Sequence, residues 1–273
     1  MRIALMTVCA SLLVAGLAQA EHAPILERVE KAMNGDHRSE ANRARNEYRH
    51  PLETLEFFGL KDGMTVMEIW PGGGWYTEIL APAMRDHGTY IAASYDPDVP
   101  DQPEYRYRLH KQLLEKFAAE PELYDQAKVV HLSPPLSIDL GEENSVDMIL
   151  TFRNAHGWFE EGIAEGLIHE FAHVIKPGGI LGIVQHRAEV GAHFEDTMLQ
   201  GYLPEQTIID LAFEAGFELD GKSEINANPK DTRDHPEGVW TLPPSLRLGD
   251  QDRAKYEAIG ESDRMTLRFK KVR

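Results

Sequence analysis

From residue 65 onward, short apolar runs alternate with segments whose apolar positions recur at helical spacing. TVMEIW (65–70) reads as a strand that stops at Pro71-Gly72-Gly73-Gly74, and WYTEILAPAM (75–84) follows as a helix. The same alternation predicts strands at 88–96, 128–133, 145–152 and 178–186, and helices at 104–119, 162–175 and 205–216. Two further strands are predicted at 217–226 and 265–272. Near-continuous apolar strands separated by helices indicate an α/β protein with a mainly parallel sheet covered on both faces.

Two segments depart from that rhythm. Residues 21–60 carry no strand signal: 21–50 are polar and read as one or two surface helices broken near Asn34-Gly35, and PLETLEFFGL (51–60) reads as an amphipathic helix ending at Gly59. Residues at about 227–262, between the last two strands, are rich in Pro, Asp and Arg and too long for a hairpin turn. Trp240, Leu242, Leu246, Leu248 and Tyr256 give that insertion apolar groups to bury, so ordered packing over a site is expected.

Composition changes the picture at the start of the chain. MRIALMTVCASLLVAGLAQA has one basic residue, an apolar run and a small-x-small site at Ala18-Gln19-Ala20, the order of a cleaved signal peptide over residues 1–20. The expectation is an exported protein, periplasmic or secreted, without stable membrane insertion. Loss of that leader would remove Cys9 and leave no cysteine, excluding disulfides and thiolate chemistry. It would also remove Arg2, leaving 27 basic against 45 acidic residues and a net charge of −18. Such a surface repels nucleic acid, so none is expected as a partner.

The turn after the first strand carries the candidate chemistry. A strand that ends in glycines and opens a helix lets backbone N–H groups approach a ligand closely. The nicotinamide spacing G-x-G-x-x-G fails at Thr77. VMEIWPGGG instead resembles motif I of the class I SAM-dependent methyltransferases (SAM, S-adenosyl-L-methionine), with Glu68, Pro71, Gly72 and Gly74 matching and Trp70 in place of the first glycine. NSVDMILTF and HEFAHVIKPGGILGIV resemble that superfamily's fourth strand and its fifth helix-strand unit, in the right order. Within the superfamily the chain resembles the exported predicted-methyltransferase group. The resemblance implies a Rossmann-like fold, a seven-stranded and mainly parallel sheet with helices on both faces, for residues 61–273.

The same resemblance implies SAM as cofactor, lying against Glu68, Trp70, Pro71, Gly72, Gly73 and Gly74, with a ribose-binding residue at Ser94 or Asp96. The acid that usually contacts adenine after the third strand is missing. FRNAHGWF, after the fourth strand, falls where this fold faces its substrate. There Arg153 offers an anion clamp, Asn154 an amide and His156 a possible base, with His186 and Arg187 as second candidates and 48–51 and 231–240 as covers. Each has a plainer alternative as a turn-capping, surface or loop-anchoring residue. Three readings follow: a methyltransferase acting on a small molecule or a cell-envelope component, an inactive ligand-binding or partner-binding module on the same fold, and a zinc hydrolase. The last rests on His169 and His173 of His-Glu-x-x-His, but Pro177-Gly178-Gly179 ends that helix before a third ligand, and no metal is expected.

Overall fold

The computed structural model describes residues 24–272; the leader expected at 1–20 lies outside the described residues. Seven strands form one sheet in the order β3-β2-β1-β4-β5-β7-β6. They are β1 (Thr65–Ile69), β2 (Thr89–Ser94), β3 (Lys128–His131), β4 (Val146–Phe152), β5 (Ile175–His186), β6 (Phe217–Ser223) and β7 (Arg264–Lys271). All pairings are parallel except those of β7, which runs antiparallel between β5 and β6. Strand order reverses between β1 and β4, and open α/β sheets bind ligands outside the carboxyl ends of the strands at that reversal.

Side chains alternate across a strand, which assigns each residue of β1 to a face. Met67 and Ile69 enter one apolar layer with Trp158, Phe171 and Leu181, and Val66 enters the other with Leu80, Tyr90 and Leu150. Glu68 shares the side of Val66. β5 starts at Ile175, earlier than expected, because Pro177-Gly178-Gly179 is taken up in a bulge: the pairing advances from Ile175 to Ile180 while β4 advances only from Val146 to Met148. A Cβ at Gly179 would stand 2.8 Å from the Asp147 carbonyl oxygen, so only glycine fits there.

The expected helices upstream of β1 are present from Pro24 on, but they are not a surface layer. Ile25, Leu26, Val29 and Ala32 of helix Pro24–Met33 are buried in the same layer as helix Thr77–Met84. Glu78, itself buried, draws in Arg38, Asn42 and Lys116. Trp75 is held between Arg38 and Arg49, whose guanidinium carbons lie 4.6 and 4.7 Å from its ring. The insertion is ordered too, with a turn at Gly238–Thr241 and a helix at Arg253–Ile259. Among the described residues no helix is long and apolar enough to cross a membrane.

Candidate functional site

The turn after β1 departs from ordinary backbone geometry at Trp70, whose φ of +43° lies in the region that favours glycine. Packing holds it there. Its N–H bonds the Ala93 carbonyl at 2.9 Å, its ring stacks on Tyr95 at 5.4 Å, and its indole N–H donates to the Leu132 carbonyl at 2.9 Å. Gly72 (φ +62°) and Gly74 (φ +80°) complete the turn. A Cβ built on Gly72 or Gly73 would meet no atom within 4 Å, so the backbone lies open to the space above it.

That space is a cleft of about 320 Å³ over the reversal of strand order. The turn forms its floor, and Arg153, Asn154 and His156 enter from the loop after β4. His186 at the end of β5, with Ser262 bonded to it, and Trp240 from the insertion close one side. Glu261, just before β7, closes the other with Asn42, Arg45 and Arg49 from the upstream helices. A second cavity of about 620 Å³ shares Trp70, Gly72, Arg153, Asn154, His156 and Trp240 with the first and continues over Tyr95, Tyr105 and Leu109.

Asn154 joins the turn to β4. Its amide nitrogen donates to the Ile69 carbonyl at 2.8 Å and to Thr151 Oγ1 at 3.2 Å, which leaves its Oδ1 without a partner among the described residues. Burial is the main cause that lowers His156 to about 4, with Arg153 adding to it. Gln185 is fixed: Oε1 accepts from the Ala155 N–H, and Nε2 donates to the Gly201 carbonyl. Its remaining N–H faces His156 Nδ1 at 3.4 Å, which assigns the neutral ring's proton to Nε2. In that tautomer His156 offers a donor from Nε2. His186, buried beside it and bonded to Ser262 Oγ, is also held well below its ordinary value, first by burial and then by His156, Arg153 and Arg264.

Arginines dominate the far side. Arg45 Nε (2.7 Å), Arg49 Nε (2.9 Å) and Arg264 Nη1 (2.9 Å) all bond the one carboxylate of Glu261, with Arg153 at 3.9 Å. Arg153 is lowered to about 10, chiefly by burial and further by Arg264 and Arg45, while Glu261 opposes the shift.

Other expected residues lie elsewhere. Glu68 is 2% exposed and lines neither cavity; its Oε2 accepts from Thr77 Oγ1 and Tyr90 OH at 2.9 and 2.5 Å. Burial pushes it up to about 7 against those two hydrogen bonds. Ser94 is buried with its Oγ 3.2 Å from His110 Nδ1, and Asp96 binds the Asp98 N–H and lies 3.5 Å from His131; neither lines the cleft or the cavity beside it. Arg187 turns away to Asp263 and Glu224. His169 and His173 are exposed on helix Ala164–Val174, which leads into the start of β5, at the opposite end of the sheet from the cleft. Glu170 between them accepts the Leu140 N–H, and no group of three or more His, Cys, Asp or Glu among the described residues is placed to share an ion. Arg45, Trp75 and Glu261 line the cleft without having been singled out in the sequence. The basic spacing of NRARNEYR (42–49) in an acidic chain was a usable signal for the first, whereas nothing local marks Glu261.

No family model and no curated protein matches the chain. Solved structures do. A SAM-dependent methyltransferase from Aquifex aeolicus is similar over 90% of this chain and 98% of its own, with 18% identity and a TM-score of 0.54. The chain has the class I methyltransferase fold. Phosphoethanolamine N-methyltransferase 2 from Haemonchus contortus, solved with SAM, is similar over 90% of this chain and 56% of its own, at 14% identity and a TM-score of 0.55. The cyclase SpnF is similar over 91% and 93%, at 15% identity and a TM-score of 0.56, so this fold also carries chemistry other than methyl transfer.

Proposed function

We propose that the protein is a SAM-dependent methyltransferase acting on a small molecule. The observation that carries this reading is the bare Gly72-Gly73 backbone, open to a cleft at the reversal of strand order, with the unpartnered Asn154 Oδ1 across from it. Side chains at either glycine would fill that space, so the residues present fit the cofactor's amino-acid end. Tyr95, Tyr105 and Leu109 give the adjoining cavity walls suited to a nucleoside. SAM supplies an already activated methyl group when bound. The protein's part is then to bind, orient and exclude water, and alignment alone is worth up to about 7–11 kcal/mol. His156, neutral and donating from Nε2, orients an acceptor oxygen or nitrogen and leaves proton removal to another group.

Calorimetric titration with SAM and S-adenosylhomocysteine tests this directly, beside Gly73→Val. Gly73 has no positive φ and no neighbour within 4 Å, so valine there blocks the cleft without straining the turn. Micromolar binding lost by the variant is the expected result; a folded parent that binds neither compound would overturn the reading.

One observation favours a second reading, a ligand-binding module without catalysis. The Trp70 indole occupies the ground between the ends of β1 and β3, and Ser94 is committed to His110, so Ser94 is not free for a ribose contact. Under either reading residues 1–20 support export. Fusing them to a phosphatase that is active only outside the cytoplasm should give activity, and an inactive, uncleaved fusion would remove the exported assignment.

A further inference from the structure

We propose that the arginine-lined side of the cleft is a seat for a doubly charged oxyanion, a phosphate or phosphate monoester, gripped by Arg45 and Arg153. Four guanidinium groups meet there on a single carboxylate, Glu261. Among the described residues lining this cleft, Glu261 is the only acidic one. The local balance is therefore strongly positive in a chain whose net charge is −17.

The four arginines are not equally committed. Arg264 is buried and spends its fork on Glu261 and the Tyr48 carbonyl. Arg49 is 1% exposed, and its Nη1 and Nη2 are buried without any hydrogen-bond partner, so its charge is only half answered. It is part of the cleft wall, stacked on Trp75, and adds field with its Nη groups buried. Arg45 uses Nε alone, which leaves both Nη groups of a side chain 21% exposed. Arg153 makes no side-chain hydrogen bond among the described residues; its nearest carboxylate is 3.9 Å away and its side chain is 25% exposed. Its backbone is held at φ +64° by an N–H bond to the Val184 carbonyl at 2.7 Å, and strained residues of this kind persist where the surroundings dictate a side-chain direction.

Charge selects the ligand class. A carboxylate would leave two of the three uncompensated positive charges unanswered, whereas a phosphate dianion answers two, and guanidinium forks match phosphate oxygens in pairs. The cleft's volume of about 320 Å³ leaves space beside a phosphate for a small organic group near the Gly72-Gly73 turn. As an acceptor subsite this rests on the methyl-transfer reading; as an anion seat it stands alone.

The test is calorimetric titration with inorganic phosphate and with acetate, each with and without saturating S-adenosylhomocysteine, on the parent and on Arg45→Gln and Arg153→Gln. Arg85→Gln, far from the cleft, is the control, and thermal melts confirm that each variant is folded. Phosphate should bind at least about tenfold more tightly than acetate, with and without the nucleoside, and each cleft variant should lose about tenfold, the size of one charge-assisted contact. Either folded variant suffices. The seat is overturned if phosphate does not bind, if acetate binds equally well, if both folded variants bind like the parent, or if S-adenosylhomocysteine displaces phosphate, which would make these arginines the cofactor's own carboxylate site. Phosphate binding by a protein that ignores S-adenosylhomocysteine would sink the methyl-transfer reading and leave the seat intact.

Discussion

Glu68 shows how far burial can redirect a residue that a motif marks for binding. With its carboxyl enclosed by Thr77 and Tyr90 and its value raised to about 7, the native state holds a proton that the unfolded chain releases near 4.5. Its contribution to stability is therefore greatest in acid and is lost as pH rises from 4.5 through 7, by an amount on the order of 3 kcal/mol. Glu68→Gln is neutral throughout, so its stability relative to the parent should climb across that window; denaturant unfolding at pH 5 and pH 8 checks this, and a constant difference would refute it. His156 acts in the opposite sense. Held neutral with a value of about 4, it costs stability as pH falls from 6.5 towards 4, and it adds no inflection near 6.5 to any binding profile. At Trp70, restoring the motif's glycine relieves a positive φ but empties a stacked, hydrogen-bonded site. Trp70→Gly should lose about 2–4 kcal/mol in chemical denaturation, the cavity cost less the relieved strain.

At the scale of elements, β1 to β5 and their intervening helices were readable because period and punctuation are local: apolar runs, a Gly-rich stop, a capping glycine. What could not be read was where polar groups would be sent. The insertion's order depends on two carboxylates far apart in sequence. Asp231, 2% exposed, accepts from Tyr202 OH at 3.1 Å and from the N–H groups of Asp263 and Arg233 at 2.8 and 2.9 Å, while Asp263 pairs with Arg187 and Arg233. Asp231→Ala orphans two backbone donors and a buried hydroxyl, so a loss of about 3–5 kcal/mol is expected. Because the damage is centred on the insertion, limited proteolysis should cut 227–262 in the variant well before the parent, and a parent-like digestion pattern would show that the insertion is held by its apolar residues instead.

Across the whole molecule, the turn, Arg153, Asn154 and His156 were legible as a site because they sit on successive strand ends of a recognisable order. Arg49 was legible only as part of a cover at 48–51, and Arg45 and Glu261 not at all, since their meeting spans 216 and 212 positions and no local pattern encodes it. Glu261→Gln should destabilise the protein by about 3–5 kcal/mol, because four arginines lose the charge they share. An unchanged midpoint in guanidinium chloride would show instead that solvent already neutralises them.

The distance between those partners also matters during synthesis. At 5–20 residues per second, the ribosome needs roughly 10–40 s to get from Arg49 to Glu261. For all of that time Arg45 and Arg49 lack the carboxylate they share in the folded protein, and β6 has no neighbour until β7 follows. The cleft is thus completed only after Glu261 and β7 have been made. A nascent or prematurely terminated polypeptide, whatever secondary structure it has gained, would carry arginines that advertise its incompleteness to the chaperones and proteases that survey new proteins.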